Sequence, residues 1–504
     1  MGPIVPMPVL HGSRSVRILA TVVAVLLPSL TVRAAIITVN STNDALISGP
    51  GERVCSLRDA IATANAQGGT PTGGCPTAAS GSNTIVFGGI GSKITLTTDS
   101  ELQIKNDIII QGPGASKLTI SGNNSGMSPT MQRVLEVMSG TVSISDLTIK
   151  GGNQVNGSGG GILVDLGATL NMTNCVISSN KAGPSGSGPF YGGGIENMGT
   201  LNLTNCTVTG NQVGFKMTGV TTPQAYGGGI DNQGTATLTG CTISNNKTIQ
   251  STAGPALSST GGGINNDSGA TLTVTNSTIS GNKAAGSGGG LSDNSSGGTT
   301  LLRDTISGNT ATGNGGGIVK SGSGLNVTNC TISGNKATFG GGLYNEDQAT
   351  LLNCTIAGNT ALEAGGMGGG GIYSIFGATT TVANTLIAFS MSTGGDCVGS
   401  VADDGNNLID DATHACGLTS GPNNDIVGSA AELLPLAKNG GPTLTMALCT
   451  ASGTPKMACT GASPAVAAGS ATICAGAPVN NSDQRGFLRG APTSCDIGAY
   501  EHPQ

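Results

Sequence analysis

The residues best suited to chemistry in this chain are acidic, and they recur. Glu196, Asp231, Asp267 and Asp293 each follow a Gly-Gly-Gly step at a similar distance. Stacked on adjacent turns of a repeat, they would form an acidic row of oxygen ligands able to hold Ca2+. A second acidic group, Asp403-Asp404 and Asp410-Asp411, lies between Cys397 and Cys416. A polysaccharide lyase would use such acids to hold Ca2+ against an acidic sugar, with a base to remove a proton. A glycoside hydrolase would need carboxylates converging on the scissile bond. The three histidines are His11, His414 and His502, so no repeat supplies an imidazole base. Without tryptophan, and with only five tyrosines, the chain offers few platforms for stacking sugar rings. The expectation is a solvated acidic edge on the repeats and a solvated, disulfide-closed loop at 403–411. Neither catalysis nor a cofactor is expected, and any Ca2+ would fall to Asp231, Asp267, Asp293, Asp403 or Asp404.

Binding is the alternative use of such a surface. Phe190, Tyr191, Phe215 and Tyr226 lie in segments of variable length, 180–192, 211–227 and 246–261 being the variable stretches. Loops of this kind carry function on a rigid scaffold, and aromatic side chains are enriched at contact surfaces. The expected partners are glycans or proteins. A net charge of −6 gives no basic footprint for nucleic acid.

The elements that would position these residues are set by an internal repeat. Gly-Gly-Gly followed by Ile or Leu occurs eight times, the apolar residue being Ile162, Ile195, Ile230, Ile264, Leu291, Ile318, Leu343 and Ile372. An alternating run of the type Thr-Leu-x-Leu-Thr-Asn-Cys-Thr-Ile-Ser-x-Asn follows each. The Cys position holds Cys175, Cys206, Cys241, Ser277, Asp304, Cys330, Cys354 and Thr385, 11 to 13 residues after the apolar one. Period-two alternation makes short strands with one apolar face, and stacked copies bury that face continuously. The closing Asn180, Asn211, Asn282, Asn309, Asn335 and Asn359 are placed to form an amide ladder from coil to coil. The repeat cysteines read as small buried side chains in single file, an arrangement that does not converge on a metal. Strand-like runs between 83 and 151 read as earlier coils. Ser56 to Asn65 reads as an amphipathic helix with a capping box at Ser56 and Asp59, covering the open first coil.

Composition agrees with an ordered, turn-rich array. The 504 residues include 86 Gly and 37% hydrophobic residues against 10% charged ones. A weakly basic start, an apolar run from Ile18 to Val32 and Val32-Arg33-Ala34 read as a signal peptide, residues 1–34. The mature chain shows no later run long enough to span a bilayer as a helix. Export suits Cys55, Cys75, Cys397, Cys416, Cys449, Cys459, Cys474 and Cys495 as disulfide partners, with sequence-near pairing the simplest arrangement.

Cys55-Ser-Leu-Arg-Asp-Ala-Ile resembles the short module named for its Cys-Ser-Leu-Arg-Glu-Ala motif, with Asp59 in place of Glu. The blocks beginning at Leu436, Ser463, Asp483 and Cys495 are similar to the choice-of-anchor Q domain. The repeats resemble those of polymorphic outer-membrane proteins in the pectin-lyase-like superfamily. These resemblances imply an exported bacterial protein, secreted or held at the cell surface or outer membrane, of unassigned molecular function. Within the C-terminal block, Asp483, Arg485 and Asp496 are expected to anchor its own packing.

The fold expected is all-β, a right-handed parallel β-helix over 83–395 with Gly-Gly-Gly repeats over 160–395. An N-terminal cap over 35–82 precedes it, and a disulfide-bearing C-terminal domain over 396–504 follows. The expected role is adhesive, binding or structural. A polysaccharide lyase or glycoside hydrolase of the pectin-lyase-like superfamily is the alternative.

Overall fold

The computed structural model describes residues 34–503, apart from 45–52, 99, 123–132, 156, 184–188, 215–223, 250–258, 364, 366, 451–458 and 491–493. Residues 1–33, nearly all of the segment expected to be a signal peptide, and Phe215 lie outside the described residues. The rest forms a parallel β-helix. Two 13-stranded sheets, the first including Thr200–Thr204 and the second Thr207–Thr209, run along it with one of 11 strands and one of eight, and each strand pairs in parallel with its counterpart in the next coil. Pairing keeps strict register: Thr200–Thr204 lies against Thr169–Thr173 on one side and Thr235–Thr239 on the other, residue by residue. Register is forced because a slip of one residue would turn every apolar side chain outward. The interior is a stack of like residues, with Ile177, Val208, Ile243, Ile279, Ile306, Ile332 and Ile356 fully buried in one column.

Two corners explain the most regular part of the repeat. Between the first two sheets the chain turns through a left-handed residue, filled by Asn174, Asn205, Asn276, Asn329, Asn353 and Asn384 at φ between 46° and 54°. Asn tolerates that region better than most side chains, which accounts for the Asn before Cys175, Cys206, Cys330 and Cys354; Gly240 takes that place before Cys241. At the next corner, Asn180, Asn211, Asn246, Asn282, Asn309, Asn335 and Asn359 form the expected ladder. Each Nδ2 up to Asn335 donates to the next Oδ1 at 3.0–3.1 Å, and all seven are fully buried. The glycine steps permit the close approach of neighbouring coils: a Cβ on Gly193 would lie 2.4 Å from the Gly228 carbonyl oxygen. The five repeat cysteines are free and buried.

A second interior ladder is absent from the sequence expectation. Asn197 donates to Asn232 and Asn232 to Asn266, each at 2.7 Å, and Asn266 donates to Asp293 at 3.0 Å. It ends in a salt bridge between Lys320 Nζ and Asp293 Oδ2 at 2.7 Å, with both side chains fully buried.

Both ends are closed by chain of other types. The helix Leu57–Asn65 carries the expected capping box, Ser56 Oγ accepting from the Asp59 amide. Arg58 pairs with Asp44 at 2.9 Å and donates to the Ser100 and Glu101 carbonyls, fastening the helix to the first coils. The sheets run past residue 395, where the last repeat ends: Cys397–Val398, Ala402–Asp403, Leu408–Ile409 and Ile426–Val427 extend three of them. The remaining residues, to 503, have little regular structure and lie back along the outside of the second sheet. Disulfides join Cys55–Cys75, Cys397–Cys416, Cys449–Cys459 and Cys474–Cys495, so sequence-near pairing holds throughout. No helix among the described residues is long and apolar enough to cross a membrane.

Candidate binding face

The residue after each Gly-Gly-Gly-Ile or Gly-Gly-Gly-Leu step points outward from the 11-stranded sheet. Register stacks Glu136, Leu163, Glu196, Asp231, Asn265, Ser292, Val319, Tyr344 and Tyr373 into one column. The residue before each glycine step forms a second column. Tyr191 pairs with Tyr226, Tyr226 bridges Thr260, and Asn314 bridges Phe339. A tight turn brings the two columns side by side. At Gly192, with φ at 59°, a Cβ would lie 2.3 Å from the Ile195 carbonyl oxygen, so only glycine fits. Direct contact between the columns follows: Thr260 Oγ1 donates to Asn265 Oδ1 at 2.9 Å.

The expected solvated acidic edge is corrected by this second column, which walls it in. Asp231 is fully buried and Glu196 is 7% exposed. Asn265 Nδ2 donates to Asp231 at 2.8 Å and to Asp267 at 2.9 Å, tying the two carboxyl groups together. Burial raises all three acids: Glu196 to about 7, Asp231 well above its ordinary range, and Asp267 upward. Burial first, then Asp231 and Asp267, push the Tyr191 hydroxyl up to about 12, so the tyrosine stands beside these acids.

The proposed metal ligands do not act together. Asp293 belongs to the interior ladder and is held by Lys320. Asp403 accepts from Gly405, Asn407 and Asn423, whereas Asp404 is exposed. Among the described residues, three metal-binding groups gather only at Glu432, Cys449 and Cys459. The two sulfurs there form a disulfide, which removes them as thiolate ligands.

The aromatic contacts also differ from the expectation. Phe190 is 5% exposed and packs with Ala182, Val213 and Ala225, so it is a core residue rather than a contact. Tyr191 and Tyr226 are half-buried and stack on each other with ring centroids 5.2 Å apart. Further along the same face, Tyr344 and Tyr373 stack at 5.1 Å and Phe339 meets Tyr373 edge-on at 5.4 Å. Four of the chain's five tyrosines therefore occupy two adjacent columns of one face. Sequence reasoning counted the tyrosines as too few without following their register. Tyr344 and Tyr373 stand one residue after their glycine steps, as Glu196 and Asp231 do, and that register is the signal that would have found them.

Residues 220–413 match the family described as a right handed beta helix region. No curated protein sequence matches the chain. Among solved structures, the pectate lyase Pel9A aligns with 94% of this chain and 98% of its own, at 12% identity and a TM-score of 0.38.

Proposed function

We propose that this chain is an exported bacterial protein, secreted or held at the cell surface, that binds a polysaccharide along one face of its β-helix. The observation that carries this reading is the gathering of four tyrosines and Phe339 into two columns on that face. Aromatic rings supply large apolar platforms with, for tyrosine, a polar edge for hydroxyl groups. Coils repeat at about 4.8 Å along the axis, so the two aromatic clusters, with three coils between them, would meet a polymer lying lengthwise at two points. Apolar ring faces suit a neutral glycan best, because they offer no counter-charge to an acidic chain. The resemblance to the Cys-Ser-Leu-Arg-Glu-Ala module and the choice-of-anchor Q domain supports export and surface association.

Hydrolysis is the second reading, favoured by Glu196, whose carboxyl at about 7 suits a general acid. A glycosidase, however, needs a second carboxylate kept ionised, by an environment that pushes the pair apart. Here Asp231 and Asp267 are raised along with Glu196. A lyase would need a free base, and Arg133 beside the row is already paired with Glu136 at 3.3 Å. Binding without turnover is the better account.

The test is a screen of the purified chain against neutral, basic and acidic polysaccharides, with and without Ca2+. Bound glycan, new reducing ends and unsaturated-product absorbance are recorded together. The expected result is retention of a neutral glycan with no product in either chemical channel. Turnover would replace this reading with an enzyme, and silence in all three channels would leave a structural stalk.

A further inference from the structure

The last coil breaks the repeat at two packed positions at once. Upstream, the third glycine of each step faces a ladder asparagine: a Cβ on Gly194 would lie 3.0 Å from Asn211 Cγ, and one on Gly342 3.2 Å from Asn359 Cγ. After Asn359 the ladder position is taken by Ser390, and after Gly371 the glycine position by Asp396, as the pairings Thr360 with Met391 and Ile372 with Cys397 show. Asp396 Oδ1 accepts from the Ser390 main-chain amide at 2.9 Å, as the next ladder Asn Oδ1 does from the main-chain amide in earlier coils. That leaves Asp396 Oδ2 without a donor. Asp396 is 1% exposed, and both its Oδ2 and Ser390 Oγ are buried without a hydrogen-bond partner.

A second carboxylate meets them there. Asp410, from the following coil, accepts from the adjacent Phe389 amide through both oxygens at 3.2–3.3 Å, and its carboxyl group faces that of Asp396. A proton shared between the two carboxyl groups, or a cation held by them, would satisfy Asp396 Oδ2. Termination of the ladder alone would need one acceptor, and a neutral amide would supply it. Two carboxyl groups on adjacent amides and a buried hydroxyl without a partner gather more oxygen than ladder termination requires.

We propose that Asp396, Asp410 and Ser390 Oγ bind a hard divalent cation, Ca2+ or Mg2+, which closes the C-terminal end of the coil. The donors are all oxygen, the set such ions prefer, and water completes a shell around two carboxylates. The neighbouring Asp403 differs, because Gly405, Asn407 and Asn423 already occupy its oxygens.

The experiment is calorimetric titration of the full exported chain, stripped with EDTA, with CaCl2 and separately with MgCl2. One saturable event is expected with at least one of the two ions, and whichever ion binds more tightly identifies the metal. Asp410→Asn and Asp396→Asn should each lower that affinity at least tenfold, whereas Asp404→Asn should leave it unchanged. Each aspartate variant should match the stripped parent in denaturant midpoint or exceed it, since the substitution removes a like-charge contact. No binding of either ion would overturn the proposal, as would binding that survives both aspartate substitutions. Ser390→Ala, which removes only the hydroxyl, gives a second reading if the aspartate variants do not fold.

Discussion

The second sheet carries nearly the same repeat in two halves of the molecule, with opposite fates. In the earlier coils its outward residues Thr207, Thr242 and Thr278 are half-buried and open to solvent. In the later coils Thr305, Thr331 and Thr355, at the same repeat position, are at most 2% exposed beneath the C-terminal residues. Their hydroxyls become specific contacts. Thr305 donates to the Leu444 carbonyl, Thr331 meets Gln484 Oε1 at 2.5 Å, and Thr355 accepts from the Ala499 amide at 3.0 Å. Gln484 Nε2 reaches back to Thr305 Oγ1 and the Asp304 carbonyl, and Arg489 donates to Asn329 at 2.8 Å. Threonine serves either fate because its hydroxyl can bond water or protein while its methyl packs. The partner, not the repeat, decides which half becomes an interface.

Substitutions at matched positions can break this comparison. Thr331→Arg would place an unpaired charge in the interface and should cost more than about 4 kcal/mol, seen as a lowered denaturant midpoint and early proteolysis after 430. Arg489→Ala leaves Glu501, its partner at 3.2 Å, buried and unpaired, and should cost about 3–5 kcal/mol by the same measurements. Gln484→Ala strands the buried Thr331 hydroxyl and should cost about 1–3 kcal/mol. The open half should instead respond to pH through Glu196. Its folded carboxyl titrates at about 7 against an ordinary 4.5, so folding favours the protonated form. The associated stability is full below 4.5, declines between 4.5 and about 7, and is level above. Denaturation across that range should show the decline, and Glu196→Gln should lessen it, the remainder coming from the raised Asp231 and Asp267. Thr207→Arg is the smallest effect, within about 0.5 kcal/mol, because its side chain extends into solvent.

What could be read from the chain alone was what repeats at fixed spacing. The Asn ladder, the thiol column, the capping box at Ser56 and the disulfide pairs all rest on short-range pattern. Glu196 and Asp231 were visible as a row, but their burial was not, because the covering residues Tyr191 and Tyr226 sit at the ends of loops of unequal length. Phe190 shows the same limit in reverse: an aromatic in a variable segment turned inward onto Ala182 and Val213. Gln484 meets Thr305 across 179 residues, a contact that no local pattern encodes. Asp396 was hidden differently, since it departs from the repeat instead of following it.

The central claim is that the tyrosine columns are the glycan-binding surface. The most direct measurement is the affinity, for any polysaccharide the parent chain retains, of a Tyr344→Ala/Tyr373→Ala variant beside Thr207→Arg. The two tyrosines are half-buried, so circular dichroism must first show the fold unchanged. The account predicts at least a tenfold loss for the tyrosine variant, about 1.4 kcal/mol, and none for Thr207→Arg on the other face. Unchanged affinity in the tyrosine variant, or a comparable loss from Thr207→Arg, would contradict it.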